Sequence, residues 1–101
     1  MRIVRSVVVD CHIEDVSAYV ADPANDPAWC VGSRTRVAAA APARVTWQEA
    51  GAEVTLELEE VWTSTRVTHR EDSDLGALRR AARAREVARR LRALRRALER
   101  R

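Results

Sequence analysis

The feature that most restricts this chain is a pair of prolines placed four residues apart near its start. Val16, Tyr19 and Val20 recur at helical spacing, which predicts a helix over 13–21. Proline clashes with the preceding helical turn and moves the residue before it out of helical space, so this helix has to end before Pro23. One long continuous helix is therefore excluded in this region.

A second, shorter helix can begin directly after the break, over residues 24–29. Asn25 or Asp26 supplies an N-cap, and Pro27 suits a first helical position because its missing N–H would have no helical partner there. Trp29 gives the short helix one large apolar anchor. The sequence thus predicts two consecutive helices broken at a fixed angle.

Alternating apolar and polar residues predict the strands of an antiparallel sheet. Residues 2–9 carry aliphatic side chains on both faces, which suits a strand covered on both sides. A half-buried strand places Val45 and Trp47 on one face, and a strand of low propensity is predicted over 34–39, where alanine is a poor strand former. The most regular alternation lies over 53–62, where the residues expected on the inner face are Val54, Leu56, Leu58 and Trp62.

A tight turn at residues 63–64 predicts a hairpin between strand 53–62 and the strand that follows it. Pairing about this turn sets Leu58 opposite His69 and Glu57 opposite Arg70. The Glu57–Arg70 pair is expected on the outer face of the sheet.

The C-terminal quarter of the chain predicts one long helix over 75–101. Eleven arginines and two glutamates give this segment a net charge of +9, whereas 1–74 carries −6. The predicted helix is therefore basic, and the rest of the chain is acidic. Apolar residues recur along the helix at three- and four-residue spacing and form one stripe, made of Ala77, Ala81, Ala84, Ala88, Leu91, Leu94 and Leu98.

The size and composition of the chain limit its class. At 101 residues, 47% of them hydrophobic and 33% charged, it is expected to form one globular domain over 1–101. No apolar run approaches the roughly 20 residues that span a bilayer, and the absence of a signal-peptide pattern predicts a cytoplasmic protein. Cys11 and Cys30 have no metal-ligand spacing with either histidine, so we expect no metal and no cofactor.

Residues 16–29 read VSAYVADPANDPAW, and with the strand-like run before them they resemble the start of the START-like, polyketide-cyclase/dehydrase superfamily. Residues 64–70 are similar to the last strand of that family, and 75–101 to its closing helix. The resemblance implies the helix-grip fold. This is an α+β fold with an antiparallel sheet of about five strands, two short helices after strand 1, and a long C-terminal helix packed on the concave face.

The departure from the family bears on function. Family members are longer and have about two more strands in the middle of the sheet, so the usual ligand cavity is expected to be reduced or absent. The resemblance implies a binder or carrier of small apolar molecules, or less often a cyclase or dehydratase of aromatic polyketides. We interpret the chain as a small non-enzymatic binder whose ligand the sequence does not identify.

An alternative from another class is a homo-oligomeric interaction protein, in which sheet edges or the arginine-rich helix bind a second copy. The basic helix could also meet phosphates. It contains no motif that reads DNA or RNA and no aromatic residue, so a nucleic acid partner is not expected.

Large side chains provide the candidate ligand-binding residues: Tyr19, Trp29, Trp47, Trp62 and Leu91. The aromatic residues among them either line an apolar pocket between the sheet and the closing helix or form the core itself. With the sheet shortened, the core interpretation is favoured.

His69 and Glu60 are the candidates for acid–base chemistry, because the alternation places both on the inner face of the sheet. A carboxylate near an imidazole can hold its tautomer and tune its proton affinity. The competing interpretation is a histidine at the rim of the sheet and a glutamate in solvent. No nucleophile, metal set or second acid accompanies the pair, so catalysis is not favoured.

Overall fold

The computed structural model of the chain describes residues 2–30, 35–36, 43–49, 52–72 and 76–100. Their order confirms the predicted α+β fold, with two short helices after the first strand and a long helix near the C-terminal end. In chain order the elements are β1 (Arg2–Val9), α1 (Ile13–Ala21), a 3₁₀ turn (Pro23–Asn25), α2 (Asp26–Trp29), β2 (Thr35–Arg36), β3 (Arg44–Glu49), β4 (Ala52–Val61), β5 (Ser64–Asp72) and α3 (Ala77–Glu99).

The strands form an antiparallel sheet in the order β1-β5-β4-β3-β2. Among the described residues, β1, β3, β4 and β5 have six to ten residues each, and β2 adds two residues at one edge. The sheet thus has four full strands and a two-residue fifth, where the sequence predicts about five. The other residues of the strand predicted over 34–39 lie outside the described residues.

The corner between α1 and α2 forms at the proline, as the sequence predicts. The 3₁₀ turn Pro23–Asn25 leads directly into α2. The Ala24 N–H donates to Oδ1 of Asp22 at 3.0 Å, and Nδ2 of Asn25 donates to the carbonyl oxygen of Tyr19 at 3.1 Å. Asn25 is the N-cap residue of α2, but its side chain makes no capping bond. Its amide instead ties the corner back to α1.

The inner face of the sheet is buried beneath the helices. α3 packs on β1 and α2, and α1 packs on β3, β4 and β5. Alternate side chains of the three central strands point into the core, as the period of two requires. The buried apolar residues of β3, β4 and β5 are Val45, Trp47, Ala52, Val54, Leu56, Leu58 and Val67, and those of α3 are Val87, Leu91, Leu94 and Leu98.

The first half of the predicted apolar stripe on α3 is not buried. Ala77 and Ala81 are exposed, whereas Val87, which the predicted stripe omits, is fully buried. The face that meets the sheet is rotated toward Arg83 and Arg90, because these side chains reach carboxylates on the sheet. Alanine buries too little apolar area to hold the opposite orientation.

β1 is less covered than predicted. Ile3 and Val9 are buried on its inner face, but Val8 is 44% exposed and Val4 is half-buried on the outer face. The prediction that both faces of this strand are covered is therefore wrong for Val8, since no described element packs over that face.

The β4–β5 hairpin turns one residue earlier than predicted, at Trp62 and Thr63. Val61 pairs with Ser64, so Leu56 rather than Leu58 lies opposite His69. A shift of two residues leaves every side chain on its predicted face, because side-chain direction alternates with a period of two. His69 consequently lies on the inner face, as predicted, and is 1% exposed.

The outer-face contact between Glu57 and Arg70 is present in a different geometry. Nε of Arg70 lies 3.0 Å from Oε1 of Glu57, although Thr68 is the residue directly opposite Glu57. Diagonal neighbours in an antiparallel pair are within reach of long side chains. The ion pair therefore forms despite the changed register.

Trp62 occupies the turn of this hairpin with a φ of 58°. This left-handed region is unfavourable for a bulky residue, and glycine or asparagine usually takes such positions in two-residue hairpins. The indole is 97% exposed. The prediction that Trp62 lies on the inner face is wrong, because the strand ends one residue earlier and the backbone turns there.

Candidate functional site

Charged side chains lie buried between the inner face of the sheet and α3, where the resemblance places a ligand cavity. Nη1 of Arg90 donates to Oε1 of Glu49 at 2.8 Å, and its Nη2 lies 2.6 Å from Oε2 of Glu49. Nη2 of Arg83 lies 2.8 Å from Oε1 of Glu71 and 3.1 Å from Oε2 of Glu49. Glu49, Glu71 and Arg90 are each less than a tenth exposed. We call these four residues the buried ion network.

The alternation of the strands and the turn of the helix explain how these charges meet. Glu49 follows Trp47 at the inward positions of β3, and Glu71 follows His69 at those of β5. On α3, Arg83 and Arg90 are seven residues apart and therefore share one face of the helix. Sequence reasoning missed the network, although this inward alternation was the signal that could have found it.

The network keeps its carboxylates ionised. Burial alone raises the pKa of Glu49, but hydrogen bonds from Arg90 and Trp47 and the charges of both arginines outweigh it and lower that pKa to about 2. Burial likewise raises the pKa of Glu71, and bonds from His69 and Arg83 lower it to about 2. Burial lowers the pKa of each guanidinium, but the carboxylates raise it overall. All four groups are charged at neutral pH.

His69 has a different carboxylate partner from the one predicted. Its Nε2 lies 3.1 Å from Oε1 of Glu71, and its ring meets Trp47 edge to face at a centroid distance of 6.3 Å. Glu60 is exposed near the end of β4, opposite Thr65. The predicted His69–Glu60 pair is therefore wrong. At 1% exposure, His69 offers no surface to a substrate in solution.

The candidate ligand-binding residues separate into two groups. Tyr19, Trp29, Trp47 and Leu91 belong to one buried cluster. The rings of Trp29 and Trp47 meet edge to face at a centroid distance of 6.2 Å, and Trp47 donates from Nε1 to Glu49 at 3.0 Å. Trp62 lies outside this cluster, fully exposed at the hairpin turn. Among the described residues, packed aromatic and aliphatic side chains and the buried ion network therefore occupy the space beneath α3.

A groove opens on the surface between α2 and α3, with a volume of about 410 Å³. Among the described residues, five charged side chains line it, four of them arginines of α3, and Ala28, Ala93 and the largely buried Trp29 form the apolar part of the lining. Glu86 and Arg90 line the groove and connect it with the buried ion network, since Oε1 of Glu86 accepts from Nη2 of Arg90 at 3.3 Å. The described residues that line it are Ala28, Trp29, Glu86, Arg89, Arg90, Arg92, Ala93 and Arg96.

Solved structures share this arrangement of sheet and helices. SSP2350 from Staphylococcus saprophyticus superimposes with a TM-score of 0.82 and 17% identity, covering 98% of this chain and 92% of that chain. DynU16, a protein of the dynemicin biosynthetic locus, gives 0.81 and 17% identity over 97% of this chain and 47% of its own. The protein has the START-like, helix-grip fold.

A third helix-grip relative is the Aha1 dimer from Colwellia psychrerythraea, with a TM-score of 0.79 and 17% identity over 98% of this chain and 96% of that chain. No protein-family model matches the sequence, and no curated protein matches it. At these identities the likeness establishes the fold of this helix-grip chain and not its ligand.

None of the described helices is both long and apolar enough to cross a membrane. Nor do the described residues of the helix-grip chain contain a group of three or more His, Cys, Asp and Glu side chains placed to hold a metal ion.

Proposed function

We propose that this protein is a non-enzymatic binder or carrier of a small apolar molecule, and that the molecule binds in the groove between α2 and α3. The observation that carries the proposal is the packing of the described residues beneath α3. There the buried aromatic cluster and the buried ion network occupy the space between the sheet and the helix. A ligand is therefore expected at the open side of α3, where the groove lies.

The groove has the size of a small-molecule site. Its volume of about 410 Å³ falls within the range of roughly 300–1,000 Å³ that is usual for ligand pockets. Ala28, which is exposed, and Ala93, which is half-buried, supply apolar surface to the groove, whereas Trp29 is only 3% exposed. Trp29 meets Trp47 edge to face and connects this lining with the buried cluster.

The groove also lacks the groups of a catalytic site. Its described lining contains alanine, tryptophan, arginine and Glu86, and none of these is a serine, cysteine or histidine. Glu86 is held by Arg83 at 3.0 Å and by Arg90 at 3.3 Å. Both oxygens of this carboxylate are thus engaged in ion pairs, which supports binding without chemistry.

Filling the groove tests this proposal. We expect Nile red, a neutral apolar fluorophore, to bind saturably, and Ala93→Leu to weaken its binding about tenfold because the larger side chain takes up groove volume. Leucine is nearly as good a helix former as alanine, so the helix itself should persist. Fluorescence titration measures the effect.

Ala81→Leu is the matched control, since Ala81 is exposed on the same helix and is not among the residues that line the groove. Equal loss of Nile red binding in both variants, or no loss in either, would show that the probe binds elsewhere. Absence of saturable binding by the unchanged protein would contradict the proposed function itself.

The edge strand β1 favours a second candidate function, assembly with another copy of the chain. Among the described strands, β1 pairs with β5 alone, so its outer edge presents backbone groups to a partner strand. One structural relative is described as a dimer. Size-exclusion chromatography with light scattering distinguishes the candidates: the binder should elute at its 11.3 kDa monomer mass, and a dimer mass would favour assembly.

A further inference from the structure

We propose that the molecule held in the α2–α3 groove is an anionic amphiphile, with one carboxylate-like headgroup and an apolar body. The inference rests on the proposed function and adds the chemistry of the headgroup. It depends on a row of arginines that stands beside Ala28 and Ala93 in the groove and that has no carboxylate partner among the described residues.

The row consists of Arg85, Arg89, Arg92 and Arg96, all exposed on α3. Their spacings of four, three and four residues place them on one face of the helix. The last three of them line the groove. At a rise of about 1.5 Å per residue, the row extends roughly 16 Å along the helix. We call it the arginine row.

The arginines of the row differ from the other arginines of α3 in their partners. Arg83 and Arg90 are neutralised by buried carboxylates, and Arg95 lies 3.5 Å from Glu99. Within the described residues, no carboxylate forms an ion pair with any member of the arginine row. Like charges at this spacing destabilise a helix by about 0.2–0.5 kcal/mol per pair. This repulsion destabilises α3, and a bound anion would reduce it.

Glu86 does not supply the missing negative charge. Its two carboxylate oxygens are engaged, one by Nη1 of Arg83 at 3.0 Å and the other by Nη2 of Arg90 at 3.3 Å. The network therefore neutralises the one acid at the end of the groove, which removes its repulsion toward an anion. The side of the groove formed by Arg89, Arg92 and Arg96 keeps its positive potential.

The two surfaces of the groove together select an amphiphile. An inorganic anion would pair with the arginines but leave the apolar surface of Ala28 and Ala93 uncovered. A neutral apolar molecule would cover that surface but take water away from Arg92 and Arg96 without replacing it. A carboxylate with an apolar body satisfies both surfaces at once, with its head at the arginine row and its body on the two alanines.

Pyrenebutanoate and pyrenebutanol form a matched pair of probes, because they share one fluorescent apolar body and differ in charge. We expect pyrenebutanoate to bind about tenfold more tightly at about 0.02 M salt, and the difference to shrink at about 0.5 M salt, where charges are screened over a few ångströms. The double variant Arg92→Gln with Arg96→Gln should abolish the preference, because it removes the charges that hold the carboxylate.

The control is Arg79→Gln with Arg100→Gln, which removes the same charge from exposed positions outside the groove lining. Glutamine keeps the helix propensity of arginine, and far-UV circular dichroism checks that α3 remains folded. An equal loss of preference in this control would overturn the proposal, because the effect would then come from net charge rather than from the groove.

The outcomes separate this inference from the proposed function. Equal affinity for the two probes, with no salt dependence, overturns the anionic headgroup and leaves the groove as an apolar site. Failure of both probes to bind contradicts the proposed function and the inference with it. Binding to phosphatidylglycerol vesicles without binding of monomeric pyrenebutanoate overturns the inference, since the anion would then belong to a membrane surface.

Discussion

Arg90→Met is expected to destabilise the protein by about 3–5 kcal/mol, because it leaves the carboxylate of Glu49 buried without its principal partner. Nη1 and Nη2 of Arg90 lie 2.8 and 2.6 Å from the two oxygens of Glu49, and both side chains are 8% exposed. Urea denaturation measures the change in the free energy of unfolding. Arg89→Met is the matched control, since Arg89 is exposed one residue away on the same helix.

A double variant isolates the cause. Combining Arg90→Met with Glu49→Gln should recover much of the lost stability, because the neutral amide leaves no unpaired charge in the core. The amide oxygen can still accept the hydrogen bond from Nε1 of Trp47. If the double variant is as unstable as Arg90→Met, the loss comes from packing around the arginine stem. If Arg90→Met and Arg89→Met behave alike, the ion pair does not support the fold.

Leu91→Ala is expected to destabilise the protein by roughly 2–5 kcal/mol, the usual cost of truncating a leucine in a packed core. Leu91 is 2% exposed and lies in the same cluster as Trp29 and Trp47. Leu78→Ala removes the same atoms from a residue that is 88% exposed on the same helix, and should change stability by less than about 0.5 kcal/mol. Thermal and urea unfolding measure both variants.

The comparison between these leucines tests how α3 is placed. An unchanged melting temperature for Leu91→Ala would show that the C-terminal half of the helix does not pack on the sheet. A large loss of stability for Leu78→Ala would show that the N-terminal half of α3 packs against a surface that the described residues do not provide. The expected order of stability is unchanged protein, Leu78→Ala and then Leu91→Ala, with the last well separated.

Local chemistry explains which parts of the fold could be predicted from the sequence. The bounds of α1 and β1 are as predicted, because a proline ends the helix and alternation marks the strand within a few residues. The register of the β4–β5 hairpin differs by two residues because its turn is centred on Trp62. A tryptophan does not signal a left-handed turn as glycine or asparagine does.

The candidate site depends on contacts between distant elements, which local patterns do not specify. Alternation places Glu49 and Glu71 at inward positions, but their burial as charged groups follows only when Arg83 and Arg90 pair with them from the C-terminal helix. Predicting His69 on the inner face was possible from alternation. Its partner could not be predicted, because the choice between Glu60 and Glu71 depends on which end of the sheet α3 covers.

The buried ion network has a consequence for the position of α3 along its own axis. Leucines at three- and four-residue spacing look alike from turn to turn, so apolar packing alone discriminates poorly between neighbouring positions of a helix. Arg83 and Arg90 stand two turns apart and reach Glu71 and Glu49 on different strands. A slide of one turn, about 5.4 Å, would separate both pairs and leave four buried charges unpaired. The buried ion network thereby fixes the side of the groove that α3 forms before any ligand binds.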